Sequence, residues 1–143
     1  MARCSTMLLA CLTLLGVERA GAQTQAATAL SVTVPAALRL QLVSTGGTAE
    51  LTGSFTEVRA AVVLRVNANC PWRLVPVVAS EGSAVQVRVE VAGSPTAVFQ
   101  PLAGTAAIAA GGRGRDIEVV VDYRLPTGVA APAVGYKLQV AGG

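Results

Sequence analysis

Val85-Gln86-Val87-Arg88-Val89-Glu90-Val91 puts four valines on one side of an extended chain and three polar residues on the other. Successive strand side chains point to opposite faces, so a period of two predicts a β-strand with one buried and one wet face. Branched valine suits that pleated, half-buried surface. The pattern spreads in both directions. Downstream it recurs in Ile117-Glu118-Val119-Val120-Val121-Asp122-Tyr123 and in Tyr136-Lys137-Leu138-Gln139-Val140. Upstream it recurs in 62–66, in Trp72-Arg73-Leu74, in Val77-Val78, and where Leu38, Leu40 and Leu42 alternate with Arg39 and Gln41. Leu30, Val32 and Val34 alternate with Ser31 and Thr33 ahead of all of these.

Turn chemistry separates the runs. Gly46-Gly47 predicts a turn leading to a strand over 51–55, and further turns are expected at Glu81-Gly82-Ser83, Gly93-Ser94-Pro95 and Pro126-Thr127-Gly128. Pro101 assigns 98–102 to a sheet edge or a bulge, because proline cannot donate to a ladder. Residues 103–110, bounded by glycines, read as a loop with one short strand. Short strands at this spacing predict an all-β, antiparallel sandwich, with about seven to nine strands.

The first 22 residues have another logic. Met1-Ala2-Arg3 gives a positive start, Met7 to Val17 an apolar core shorter than a membrane span, and Ala20-Gly21-Ala22 a small-residue cleavage site. This predicts a signal peptide over 1–22, cleaved after Ala22, and a single domain over 23–143 that is secreted, periplasmic or at the cell surface. Leu8-Leu9-Ala10-Cys11 offers a lipoprotein alternative. The apolar core continues through Leu12-Thr13-Leu14-Leu15, however, and that favours cleavage after Ala22. No transmembrane segment is expected.

With 52% hydrophobic and 13% charged residues, the chain has the composition of a globular domain rather than a disordered one. Its net charge of +3 is spread over scattered arginines rather than gathered in a stripe, which argues against a nucleic-acid partner. Histidine is absent, and Cys70 is the one cysteine beyond the leader, so neither a zinc site nor a disulfide framework is expected. Cys70 reads as a buried apolar residue, or else as a candidate for an intermolecular disulfide. No cofactor is called for. Trp72, the single tryptophan, is expected to plug the core.

Several segments, in order, resemble short secreted bacterial proteins with an immunoglobulin-like or fimbrial-subunit-like sandwich. They are Ser31-Val32-Thr33-Val34-Pro35-Ala36-Ala37-Leu38-Arg39-Leu40, Leu64-Arg65-Val66-Asn67-Ala68-Asn69-Cys70-Pro71-Trp72-Arg73-Leu74, the glycine turn before 117–123, and the final Tyr136 to Val140 run. The resemblance implies that the antiparallel β-sandwich is of immunoglobulin-like type, and it supplies no catalytic residue.

Asp116, Glu118 and Asp122 form the best acidic constellation. Strand neighbours two apart are about 6.6 Å apart, near the lower limit for inverting glycosidase carboxylates. The opposite face, Ile117 to Tyr123, is apolar, so the acids read first as a solvated face. Gly111-Gly112-Arg113-Gly114-Arg115 reads as a mobile turn, with an anion nest or an RNA-binding patch as the functional alternatives. Leu125-Pro126-Thr127-Gly128 is one residue short of a cell-wall sorting motif.

These readings favour a non-catalytic structural or protein-interaction domain, such as a cell-surface or pilus-like assembly subunit that self-associates or binds a protein partner. Sheet edges carry unpaired backbone groups that accept a further strand. The candidate strand-exchange edges are Leu30, Val32 and Val34 at one end and Tyr136, Leu138 and Val140 at the other. A carbohydrate- or small-ligand-binding module is the alternative, though aromatics make up only 3% of the chain. A hydrolase acting through Asp116 and Glu118 comes third.

Overall fold

The structure, a computed structural model, describes residues 10–13, 27–78, 84–95, 98–103 and 105–142. The expected cleavage point after Ala22, most of the expected signal peptide and the turn expected at Glu81-Gly82-Ser83 lie outside these residues. All regular elements among them are strands: β1 (Ala10–Thr13), β2 (Ala27–Leu30), β3 (Leu38–Thr45), β4 (Thr48–Thr52), β5 (Phe55–Ala68) and β6 (Trp72–Val78). They continue as β7 (Gln86–Val91), β8 (Ser94–Pro95), β9 (Gln100–Pro101), β10 (Ala109–Gly111), β11 (Gly114–Pro126) and β12 (Val134–Val140). Every pairing is antiparallel. No helix among the described residues is long and apolar enough to cross a membrane.

A seven-stranded sheet runs β3-β5-β11-β7-β8, with β4 also on β5 and β9 also on β7. A three-stranded sheet, β10-β6-β12, lies against it, and both contribute to one core. The valines of the deciding stretch meet that core: Val87 and Val89 are fully buried and Val85 nearly so. Val119, Val121, Tyr123 and Leu125 of β11 alternate inward beside them, as do Val62, Leu64 and Val66 of β5. Each fully buried side chain of this size contributes about 1.5–3 kcal/mol.

Trp72 fills the centre from the small sheet, with no exposed surface, and leans across its ladder partner Gly111. A β-carbon there would lie 2.4 Å from Trp72 Cζ2, so only glycine leaves room for the indole.

Three sequence expectations are corrected. The chain does not reverse at Gly46-Gly47. β3 and β4 run on along the same side of β5, and the hairpin turns at Gly53-Ser54, where Thr52 pairs with Phe55. Gly46 and Gly47 instead pass a bulge in β5: the Gly46 amide bonds Ala61 O at 3.0 Å, and a Gly47 β-carbon would stand 2.2 Å from Arg59 O. Second, Trp72-Arg73-Leu74 and Val77-Val78 belong to one strand that passes through buried Pro76. That is possible because β10 pairs with 72–74 and, among the described residues, β6 has just β12 beside it at Pro76. Third, the alternating run over 30–34 is not a strand of the sandwich. β2 ends at Leu30, paired to β1, and 31–37 join no ladder among the described residues.

The Pro101 segment is at the sheet edge, as β9 beside β7, and the one short strand expected within 103–110 is β10, which begins at Ala109. The link over 69–71 ties down both ends of the sandwich. The Ala37 amide donates to Asn69 Oδ1 at 2.7 Å, and the Ala141 amide to Pro71 O at 2.9 Å.

Candidate functional site

The two sheets differ in width, and on one side both stop at strands with an unpaired edge. β3 and β4 have β5 on one side only, and β12 has β6 on one side only, among the described residues. Between β3 and β12 lies a cleft of about 300 Å³ whose lining includes Leu40, Leu42, Thr45, Leu64, Val134 and Tyr136. Alternation aims Leu38, Leu40 and Leu42 toward the core, yet the narrow second sheet covers them progressively less, and Leu42 is 58% exposed. Leu51 on β4 is 71% exposed.

Tyr136 forms one wall. Its hydroxyl bonds that of Tyr123 across the two sheets. Burial raises the pKa of both phenols above the ordinary tyrosine value, with the shared hydrogen bond adding to the rise at Tyr136 and opposing it at Tyr123. Two neutral hydroxyls thus hold a polar contact at the edge of an apolar cleft.

The candidate edge residues divide. Tyr136, Leu138 and Val140 lie on β12, opposite Pro76, Leu74 and Trp72 of β6, and are half-buried in their own domain. Leu30 belongs to β2, while Val32 and Val34 are exposed, at 47% and 45%. Cys70 has no exposed surface, so pairing with a second chain requires this end of the sandwich to open.

The three acids do not act together. Asp122 Oδ1 accepts the Ala60 amide at 2.8 Å, and its Oδ2 accepts Arg88 Nη2 at 2.7 Å. Asp116 is exposed and 3.9 Å from Arg65 Nε. Glu118 is exposed on the same outer face, opposite Arg65 in the ladder. No group of three acidic or thiol side chains among the described residues is arranged to hold a metal.

No protein-family model matches the chain, and no curated protein or solved structure matches it either.

The glycine-arginine motif is the passage from one sheet to the other: Gly111 ends β10, Gly114 begins β11, and only Gly112 and Arg113 lie between. A bulge follows, with Asp116 at φ 51°. The amide that would contribute to an anion nest there, that of Asp116, donates instead to Asn67 Oδ1 at 3.0 Å.

Two groupings escaped the sequence reading. On the outer face of the large sheet, Phe99 is packed by the guanidiniums of Arg88 and Arg124, 4.7 and 4.1 Å from the ring centre. Arg124 Nη2 is also 2.6 Å from Glu57 Oε1. The ring is therefore engaged by cations of its own chain and is not an open platform for a sugar. The second grouping is a pocket at the pole where β3, β5 and β11 meet, lined in part by Arg39, Asn67, Asn69 and Arg115. The signal for it was Asn67-Ala68-Asn69, two amides placed two apart at the end of an apolar strand.

Proposed function

We propose that this chain is an exported, non-catalytic structural or protein-interaction domain of immunoglobulin-like build, whose working surface is the open side between β3 and β12. The observation that carries the reading is the apolar cleft flanked by two unpaired strand edges. A strand laid there gains backbone hydrogen bonds from an edge and buries alternate side chains in the cleft.

The occupant we assign is the 30–34 segment of a second copy. Leu30, Val32 and Val34 recur every second residue, the spacing an added strand needs, and Val32 and Val34 are exposed. Cleavage after Ala22 also removes β1, the partner of β2. That frees the segment to reach a neighbour.

The test is the light-scattering mass of residues 23–143 over a range of concentrations, with and without reductant. A ladder of masses that survives reductant and disappears in Val32→Lys/Val34→Lys and in Leu42→Lys supports the proposal. A monomer at every concentration overturns it. So does a dimer that collapses on reduction, which would assign association to Cys70.

A further inference from the structure

Among the described residues, four arginines of this chain face a carboxylate, while Arg73 bonds Gln139 Oε1 instead. Arg59 faces Glu50, Arg65 faces Asp116, Arg88 faces Asp122 and Arg124 faces Glu57. Arg39 and Arg115 have no such partner among the described residues, and both line the pocket of about 440 Å³ at the β3-β5-β11 pole. No carboxylate lines it.

Three strands build the pocket. Arg39 is the ladder partner of Asn67, and Arg115 sits in the β11 bulge on the other side of β5, so the amide lies between two strands that each bring a guanidinium. Asn69 is structural: it accepts the Ala37 amide at 2.7 Å and donates to Pro35 O at 2.8 Å, holding the 35–37 segment as one wall. Asn67 is different. Its Oδ1 takes the Asp116 amide at 3.0 Å, which fixes the side chain and leaves its Nδ2 donors uncommitted among the described residues. The pocket therefore presents two planar charged donors and one neutral donor, held by a strand ladder. Arginine's fork matches carboxylate and phosphate oxygens in pairs.

We propose that this pocket binds an oxyanion, the carboxylate or phosphate group of a small molecule, with Arg39 and Arg115 clamping the charge and Asn67 donating between them. The site is on the outer face and pole of the large sheet, and it does not depend on the strand-accepting cleft.

Titration calorimetry of the isolated chain at low salt, with inorganic phosphate, glucuronate and glucose as probes, tests this. Phosphate, glucuronate or both should bind while glucose does not, and the arm that binds identifies the group. Arg39→Gln/Arg115→Gln should weaken binding about tenfold or more, the scale of one charge-assisted hydrogen bond, with an unchanged melting midpoint because both side chains are exposed. Arg113→Gln, outside the lining, should bind as the parent does. Absence of binding by both anions, a double variant that binds like the parent, or an equal loss in Arg113→Gln would each overturn the assignment.

Discussion

Arg88 Nη2 stands 2.7 Å from Asp122 Oδ2 across the β7–β11 ladder, and the other oxygen of that carboxylate accepts the amide of Ala60 at 2.8 Å. One side chain thus joins three strands of the large sheet at the bulge where β5 carries extra residues opposite β11. A β-bulge leaves backbone groups off the ladder, and Asp122 satisfies one of them.

Asp122→Ala is expected to cost about 2–3 kcal/mol, because it leaves a part-buried amide and a guanidinium without their acceptor. Asp122→Asn keeps an oxygen for Ala60 and should cost about half as much. Urea unfolding midpoints check both, and equal midpoints for the parent and Asp122→Ala would remove the bulge role.

Ala60 itself has φ 50°, a left-handed conformation that disfavours a β-carbon. Ala60→Gly should therefore be neutral or stabilising by up to about 1 kcal/mol, the relief being partly offset by glycine's freedom in the unfolded chain. A clear fall in the unfolding midpoint would contradict this.

Gly111→Ala places a methyl group against the buried indole of Trp72. Overpacking of this kind costs about 1–3 kcal/mol. Tryptophan emission should shift as the ring is displaced, while the parent emits as a buried indole. An unshifted spectrum with unchanged stability would mean the ladder has room to absorb the methyl.

The tyrosine pair predicts an alkaline limit. Burial holds the folded-state pKa of Tyr123 and Tyr136 above the ordinary value of 10.0, so the folded chain keeps protons that the unfolded chain releases. The stabilisation is fully present below about pH 10 and is lost as pH rises beyond it, by about 1.4 kcal/mol per unit for each phenol. Absorbance at the tyrosinate band should appear together with unfolding, and Tyr123→Phe/Tyr136→Phe should flatten the alkaline fall. Tyrosinate forming in the folded chain below pH 10 would contradict it.

Cys70 should react with an aromatic disulfide reagent only after denaturant is added, since its side chain has no exposed surface. Prompt reaction of the native chain would place it elsewhere.

The core was legible because alternation is a local signal. Val85 to Val91 and Ile117 to Tyr123 each announce their inner face, and Trp72 fills the place its apolar setting suggests. The hairpin was not, because a strand-passing bulge and a tight turn both call for glycine. Gly46-Gly47 and Gly53-Ser54 are told apart only by which residues of β5 they meet. The cleft and the basic pocket were hidden for a related reason. Leu40 and Leu42 read as ordinary core, and only the narrowness of the second sheet leaves them half covered. Arg39, Asn67 and Arg115 are brought to one pole by pairing between distant strands.

The link over 69–71 gives the domain a mechanical character. The chain enters at Ala37 and leaves at Ala141, and both points are fastened to this short connection between β5 and β6. Tension drawn through the two flanking segments is therefore loaded at a single corner, first on a few hydrogen bonds there.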